Sequence, residues 1–359
     1  MKGAVFHGGG RPVAIEDVRV KDPGPGEVRV AVKAAGLCHS DLSVIDGSIP
    51  YPVPVVLGHE GAGVVEALGP GVRSVKEGDA VVLSTLAHCG RCRACEVGRP
   101  TECRNAPNPK ETQPFVVGGR PAHQFANASA FVEKTVVREQ SAIPIDPRVP
   151  FDRAALIGCG IMTGVGAVVN RARVETGATM AVFGLGGIGL SCVQGGVLAG
   201  AARIVAVDVV AEKLALARRL GATDAIDATT DDPVAAVKAL TGGGADYTFE
   251  AVGSLAVIRQ ALDALGPGGT LTIVGVPKLG SSLDVVVHQL YQNKAILGCR
   301  YGAARPRRDF PMLADLYLAG RLEIDALVTQ RYALDDFARA LDDLRAGRLA
   351  RGVFRLDKE

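Results

Sequence analysis

Apolar and polar positions follow two different patterns along this chain. Up to about residue 150, short runs such as EVRVAVKAAG and DAVVLST are rich in β-branched residues and bounded by Gly, Pro and Asp, which is typical of short strands in a barrel-like fold. From about residue 160, apolar runs such as RIVAVDVV are followed by helical stretches such as AEKLALARRLG. This alternation predicts a parallel sheet with right-handed crossovers. After about residue 300 the pattern is mixed again.

Composition excludes several classes of protein. The chain has 359 residues, of which 48% are hydrophobic, and this length favours two domains. The net charge is +2 with no basic block, so we expect no nucleic-acid partner. No apolar run reaches the ~18 residues of a membrane span, and the N-terminus lacks the apolar core of a signal peptide. We therefore expect a cytoplasmic protein with no membrane partner.

Half of the eight cysteines lie in the stretch HCGRCRACEVGRPTEC, at Cys89, Cys92, Cys95 and Cys103. Thiols stay reduced in the cytosol, so clustered cysteines there favour a metal over disulfides. A thioredoxin-like C-x-x-C motif would need a βαβ setting, whereas this stretch lies among short strands. Four thiolates at short intervals can close a tetrahedron around zinc and leave no position for a substrate. We predict a structural zinc here.

A G-x-G-x-x-G motif at Gly184, Gly186 and Gly189 predicts a dinucleotide site. An apolar strand precedes the motif, a helix follows it, and the next strand ends in Asp208. The glycines would allow the tight turn, the approach of a pyrophosphate to the helix N-terminus, and helix-on-strand packing. Asp208 would accept hydrogen bonds from the ribose hydroxyls and repel a 2′-phosphate, which favours NAD over NADP. The alternative for Asp208 is a helix N-cap.

Three further stretches carry candidate metal ligands. They are GLCHSDL with Cys38, VLGHEGAG with His59 and Glu60, and LIGCGIMTG with Cys159. Two thiolates and one imidazole form the catalytic Cys₂His zinc set, which leaves a fourth position open. Taken singly, a cysteine is usually a small buried hydrophobe, and composition alone does not link Cys38 to Cys159.

Together these motifs resemble the zinc-dependent medium-chain alcohol dehydrogenases over essentially the whole chain. The long loop after Cys103 resembles the animal-type and formaldehyde-dehydrogenase branch. The resemblance implies an α/β fold with a GroES-like β-rich catalytic domain at 1–160 and 301–359, and a Rossmann doubly wound parallel sheet at 161–300. It also implies two zinc ions per chain, NAD as the cofactor, and a homodimer, with a tetramer as the alternative.

The resemblance also implies the roles of individual residues. Cys38, His59 and Cys159 would hold the catalytic zinc, with Glu60 just behind it. Ser40 would take the proton of the alcohol, whose alkoxide then passes a hydride to NAD. Ser43 stands where many relatives have a relay histidine. The further cofactor contacts implied are His39, Thr163, Gly187, Ile188, Lys213, Val274 and Arg351. For Lys213 and Arg351 the alternative is a solvated charge.

The resemblance implies that the substrate is a small alcohol or aldehyde. The resemblance places Ser40, Ile49, Thr85 and Val276 in the pocket. Thr85 replaces a bulky aromatic residue, which favours an aromatic or medium-chain primary alcohol. One alternative is a thiol-dependent formaldehyde dehydrogenase or nitrosothiol reductase, although Ile49 and Pro107 lack the charges of glutathione-linked relatives. A second alternative is a metal-free quinone reductase or a non-catalytic NAD-binding relative.

Overall fold

The computed structural model describes residues 1–356 and divides the chain into two units. The first unit contains Met1–Gly160 and Arg305–Glu359, and the second contains Ile161–Ala304. The chain returns to the first unit at Arg305 rather than at the predicted residue 301. The cause is the short turn Tyr301–Ala303, because a Cβ on Gly166 would lie 2.3 Å from the Gly302 carbonyl oxygen, so this turn packs within the second unit.

The strands in chain order are β1 Lys2–Phe6, β2 Ala14–Val20, β3 Glu27–Leu37, β4 Val55–Val56, β5 Glu60–Leu68, β6 Ala80–Leu83, β7 Phe115–Val117, β8 Arg120–Gln124, β9 Lys134–Arg138, β10 Ala142–Pro144, β11 Thr179–Phe183, β12 Arg203–Asp208, β13 Asp224–Asp227, β14 Ala245–Glu250, β15 Leu265–Ile273, β16 Ala295–Gly298, β17 Val328–Ala333 and β18 Arg351–Arg355.

The α-helices are α1 His39–Ile45, α2 Arg93–Glu96, α3 Phe151–Leu156, α4 Met162–Gly166, α5 Gly187–Ala199, α6 Ala211–Arg219, α7 Pro233–Leu240, α8 Leu255–Asp263, α9 Val287–Tyr291, α10 Pro306–Leu318 and α11 Phe337–Arg345. The π-helical turn Ile157–Ile161 joins α3 to α4, and a second π-helical turn, Ala167–Ala172, extends the same run beyond α4.

The first unit is β-rich, as the short alternating runs predict. Strands β1, β2, β7, β8 and β4 close a barrel, and a second sheet has the order β10-β6-β5-β3-β18-β17, with β9 also paired to β3. Alternate residues are buried over the first part of β3, where one face of the strand packs on the core, and the last four residues of the strand are all buried. The last described strand, β18, pairs antiparallel with β3, with Gly352 opposite Leu37.

The second unit is the predicted doubly wound sheet. Six strands run parallel in the order β13-β12-β11-β14-β15-β16. The strand order reverses at β11, which has β12 on one side and β14 on the other. In open α/β sheets ligands bind at this switch point, outside the carboxyl ends of the strands. The Gly184 turn follows β11 directly, so the fold places the predicted dinucleotide motif there.

One helical run, Phe151–Ala172, has the length and apolar composition to cross a membrane. However, 78% of its apolar window is buried inside the protein. Core helices of water-soluble proteins meet the same two criteria, so the run is weak evidence for a membrane span.

Candidate functional site

Four candidate ligands of the first unit converge on one point. Cys38, His59, Glu60 and Cys159 each offer one ligand atom, and these atoms lie within 4.8 Å of one another. Cys38 follows β3, and His59 and Glu60 lie at the start of β5, which pairs with β3 so that Gly36 faces Glu60. Cys159 lies in the first π-helical turn. Antiparallel pairing thus joins ligands that are distant in sequence.

Asp41 organises this cluster, and sequence reasoning gave it no role. Its fully buried carboxylate accepts hydrogen bonds from the backbone N–H groups of Cys38 (3.2 Å) and Gly58 (3.1 Å), and lies 3.3 Å from Nδ1 of His59. A proton on Nδ1 leaves Nε2 as the free ligand atom. The only signal in the sequence is the position of Asp41 in the first turn after Cys38.

The donor set fits a zinc ion. Nε2 of His59 is buried and has no hydrogen-bond partner within residues 1–356, which a metal bond would satisfy. A hydrogen bond with Cys159 lowers the pKa of Cys38 well below its usual value, and His59 adds to this effect. Two sulfur ligands and one imidazole nitrogen are the donors of catalytic zinc sites with an open fourth position.

Glu60 and Arg351 form a buried ion pair next to the cluster. Nη1 of Arg351 lies 3.4 Å from Oε1 of Glu60, and both side chains are buried. Burial raises the pKa of Glu60 to about 7, although the charge of Arg351 opposes this shift. Gly160 makes room for the guanidinium, because a Cβ there would lie 2.0 Å from Nη2 of Arg351. The alternative of a solvated charge is therefore wrong for Arg351.

Helix α1 carries the other predicted residues of this region. Ser40 lies in its first turn, with its Oγ 3.9 Å from Sγ of Cys38. His39 is exposed at the first position of the helix, and Ser43 is partly buried one turn later. Of the predicted pocket residues, Ser40, Ile49 and Thr85 belong to the first unit and Val276 to the second.

The second cysteine cluster forms a compact group in the first unit. Ligand atoms of Cys89, Cys92, Cys95 and Cys103 lie within 4.8 Å of one another. Sγ of Cys92 is 3.6 Å from that of Cys95 and 3.8 Å from that of Cys103. All eight cysteines of the chain are free thiols. The four sulfurs fit a closed zinc tetrahedron, which requires that no disulfide joins them.

The glycine turn of the second unit fits a dinucleotide phosphate. Gly184 has a φ of +89°, which residues with a side chain rarely adopt. Gly186 is the N-cap of α5, has no side-chain cap, and has open space where a Cβ would stand. The free N–H groups of the first helical turn can therefore bind an anion that approaches closely. A Cβ on Gly189 would lie 1.8 Å from the carbonyl oxygen of Gly184.

Asp208 connects this turn to the neighbouring strand. Its Oδ2 accepts a hydrogen bond from the N–H of Leu185 at 2.6 Å, and Oδ1 accepts from Val209 and Val210. The N-cap of α6 is Val210, so the N-cap alternative for Asp208 is wrong. The carboxylate lies at the carboxyl end of β12, beside the turn that would hold the pyrophosphate.

Except for Arg351, the remaining predicted cofactor residues lie in the second unit. Thr163 is buried on α4, Lys213 is partly buried on α6, and Val274 is buried directly after β15. Gly187 and Ile188 begin α5, and a Cβ on Gly164 would lie 2.3 Å from the carbonyl oxygen of Ile188. Arg351 belongs to the first unit, where it pairs with Glu60. The contacts of these residues with NAD stay predictions.

Two glycine substitutions should separate folding from cofactor binding. Gly189→Ala should lower the free energy of unfolding by about 1–3 kcal/mol, because its methyl group meets a backbone oxygen. Gly186→Ala should lower the free energy of unfolding by less than about 1 kcal/mol, since only a helix cap is weakened. It should nevertheless impair NADH binding, because its methyl group would enter the open space predicted for the pyrophosphate. Denaturant unfolding measures the stability of each variant, and NADH fluorescence measures its cofactor affinity. Equal unfolding free energies of the two variants would contradict the different roles assigned to Gly186 and Gly189.

Comparisons with known proteins agree with this geometry. Residues 24–147 match the alcohol dehydrogenase GroES-like domain, and residues 187–319 match the zinc-binding dehydrogenase domain. The chain is 40% identical to the NDMA-dependent alcohol dehydrogenase of Amycolatopsis methanolica over 98% of both chains. It is 37% identical to the class-3 alcohol dehydrogenase of Oryza sativa subsp. japonica, over 99% of this chain and 97% of the relative.

The solved benzyl alcohol dehydrogenase of Acinetobacter calcoaceticus superposes with a TM-score of 0.94, at 35% identity and 99% coverage of both chains. The chain therefore belongs to the zinc-dependent medium-chain alcohol dehydrogenase family, and it is an oxidoreductase. The predicted fold class, a GroES-like domain with a Rossmann domain, is confirmed. Zinc ligands are present in the site, which disfavours the metal-free quinone reductase alternative.

Proposed function

We propose that this alcohol dehydrogenase uses NAD to interconvert primary alcohols and aldehydes. The observation that carries the proposal is the convergence of Cys38, His59 and Cys159, with one buried imidazole nitrogen left for a metal. A zinc ion held there would act as a Lewis acid that polarises the oxygen of the alcohol or aldehyde. The two thiols and the imidazole would hold the ion, and Asp41 would keep the proton of the imidazole on Nδ1, so that Nε2 is free for the metal.

Ser40 is the proposed proton acceptor for the alcohol. Its hydroxyl is 3.9 Å from the sulfur of Cys38, in the first turn of α1, so it lies next to the proposed ligand set. Ser43 follows one helical turn later, where a histidine would serve in many relatives. A serine hydroxyl does not take up an additional proton near neutral pH, whereas an imidazole does. We propose that the proton passes from Ser40 to solvent through water.

NAD is the proposed hydride acceptor, at C4 of its nicotinamide. Support comes from Asp208, whose carboxylate lies at the end of β12 beside the anion-binding turn, where it would repel a 2′-phosphate. The relative from Amycolatopsis is named for dependence on NDMA, so the acceptor must be tested directly.

A substrate and acceptor panel tests this function. We expect benzyl alcohol and medium-chain primary alcohols to be oxidised with NAD, with kcat/KM at least about 100-fold higher than with NADP, since a repelled phosphate costs several kcal/mol. The reaction should proceed without an added thiol. Each condition is assayed with NAD, NADP and NDMA on the same zinc-loaded preparation. Turnover with NDMA alone, or with NADP in preference to NAD, would contradict the cofactor assignment.

The second candidate is oxidation of a thiol adduct of formaldehyde, or reduction of a nitrosothiol. It is supported by the class-3 relative and by Lys110 in the long loop, whose ammonium group lies 5.7 Å from the ring centroid of Tyr51. Formaldehyde turnover that requires an added low-molecular-weight thiol would favour this candidate over simple alcohol oxidation.

A homodimer is the proposed assembly. Strand β16 lies at the edge of the second unit's sheet, where another strand can add to it. Large apolar side chains before this strand are exposed, including Leu279 (89%) and Tyr291 (82%). A symmetric pairing of two copies would cover both features.

A further inference from the structure

Glu250 is a buried carboxyl group that neither the sequence motifs nor the proposed chemistry uses. It is the last residue of β14, where it pairs with Phe183 at the end of β11 and with Ile273 at the end of β15. Its side chain is fully buried. Glu250 therefore lies at the carboxyl edge of the sheet, where α/β folds bind their ligands.

Glu250 fastens two loops, in the sense that its side chain accepts hydrogen bonds from one loop and its backbone oxygen accepts hydrogen bonds from the other. Its Oε1 accepts hydrogen bonds from the N–H groups of Val252 (2.8 Å) and Gly253 (2.6 Å), in the loop after β14. Its backbone oxygen accepts from Val274 (2.8 Å) and Gly275 (2.9 Å), in the loop after β15. The loop that carries Val274, a predicted cofactor contact, is therefore hydrogen-bonded to the same residue as the loop after β14.

The fastened loops are packed against each other and against the glycine turn. A Cβ on Gly275 would lie 2.2 Å from the nitrogen of Gly253, and a Cβ on Gly253 would lie 2.5 Å from the oxygen of Val276. A Cβ on Gly184 would lie 2.4 Å from Cγ2 of Val252. Because these contacts leave no space for a methyl group, a shift of the Val252 loop must also displace the loop after β15 and the glycine turn at Gly184.

The arrangement is costly for the fold. Oε2 of Glu250 is buried and lacks a hydrogen-bond partner among the described residues. Burial of a carboxyl group with one oxygen unsatisfied is unfavourable, and burial raises the pKa of Glu250. A shorter polar side chain could hold the turn after β14 without the free-energy cost of burying a carboxyl group. Buried ionisable groups whose pKa is shifted by their surroundings cluster at functional sites.

We propose that Glu250 is a positioning residue for the nicotinamide half of the dinucleotide site. The inference rests on the proposed use of NAD. Asp208 is the last residue of β12, on one side of the glycine turn, and would bind the adenosine ribose. The loops that Glu250 fastens follow β14 and β15, on the other side of the turn, and so face the nicotinamide half. Glu250 acts through these loops and does not touch the reacting atoms.

Two variants separate the hydrogen bonds from the size of the side chain. Glu250→Met has a similar volume and no acceptor oxygen, whereas Glu250→Gln keeps one carbonyl oxygen for the N–H groups of Val252 and Gly253. Affinity is measured for NADH by fluorescence and for 5′-AMP, which contains only the adenosine half, by calorimetry. The apo proteins are compared by thermal melting.

Glu250→Met should weaken NADH binding at least about tenfold, since hydrogen bonds to a charged group are lost. It should change 5′-AMP binding less than about twofold, and Glu250→Gln should keep NADH affinity within about threefold, because its oxygen restores the acceptor. An unchanged NADH affinity in Glu250→Met would overturn the inference. An equal loss of NADH and 5′-AMP affinity would also overturn it, because it indicates a general structural role.

A third variant covers the case in which Glu250→Met does not fold. Glu250→Asp keeps the charge but shortens the side chain by one methylene, so it cannot reach both N–H groups from the same backbone position. It should weaken NADH binding and leave 5′-AMP binding intact, and full NADH affinity would refute the proposal. Failure of the proposed cofactor itself is distinguishable, because the parent protein would then bind neither NADH nor 5′-AMP.

Discussion

Replacing His59 with Ala should abolish alcohol oxidation and remove one of two zinc ions per chain. The imidazole offers the unpartnered Nε2 to the site, and Ala leaves two thiols that hold a metal weakly. Polarisation by a zinc ion is worth several kcal/mol, so kcat/KM should fall at least about 1,000-fold. Metal analysis by mass spectrometry should show one zinc, retained by the cysteine cluster.

The matched control for this variant is His7→Ala. His7 belongs to the same unit, but its ring is paired with Glu16 at 2.6 Å and is partly exposed. A surface pair of this kind contributes about 1 kcal/mol or less. His7→Ala should therefore keep two zinc ions and the parent turnover. Parent activity in His59→Ala with two zinc ions bound would show that another group holds the catalytic metal.

Replacing Cys95 with Ala should destabilise the fold or the dimer without changing the chemistry. Three sulfurs cannot close the tetrahedron, and structural zinc binding contributes directly to folding free energy. We expect a loss of about 3 kcal/mol or more in unfolding free energy, comparable to the loss of a covalent crosslink. Soluble variant protein that retains its other zinc should keep the parent kcat. Sedimentation of parent and variant measures the assembly.

Cys192→Ala is the control for Cys95→Ala. Cys192 is buried on α5 as a single thiol outside both clusters, and burial raises its pKa above its usual value. Its loss removes only a small hydrophobic group, at a cost of about 1 kcal/mol. A stable, fully folded Cys95→Ala protein with abolished turnover would mean that the two metal sites have been assigned the wrong way round.

Local patterns in the sequence predicted the elements well. Alternating strands and helices around the glycine turn at Gly184 predicted the doubly wound sheet, because periodicity reports which face of each element is buried. The compact cysteine group was predicted because Cys89 to Cys103 lie within one short loop. The return to the first unit was predicted four residues too early, because the turn at Gly302 packs on the second unit and has no periodic signal.

Other features had no local signal. The carboxylates of Asp41 and Glu250 each accept hydrogen bonds from backbone N–H groups of nearby loops. No residue pattern in the sequence predicts such contacts. From the sequence, Arg351 could be a solvated charge. The pairing of β18 with β3 brings its side chain to Glu60. Buried charges are placed by long-range packing, whereas composition reports only how often they occur.

The sequence by itself determined the two kinds of domain, the closed cysteine cluster and the glycine turn, since each depends on residues close together in the chain. Tertiary structure alone decided that Cys38, His59 and Cys159 form one site, because sheet register between β3 and β5 and a π-helical turn bring them together. A catalytic metal needs ligands that converge in space, and convergence is a property of strand pairing.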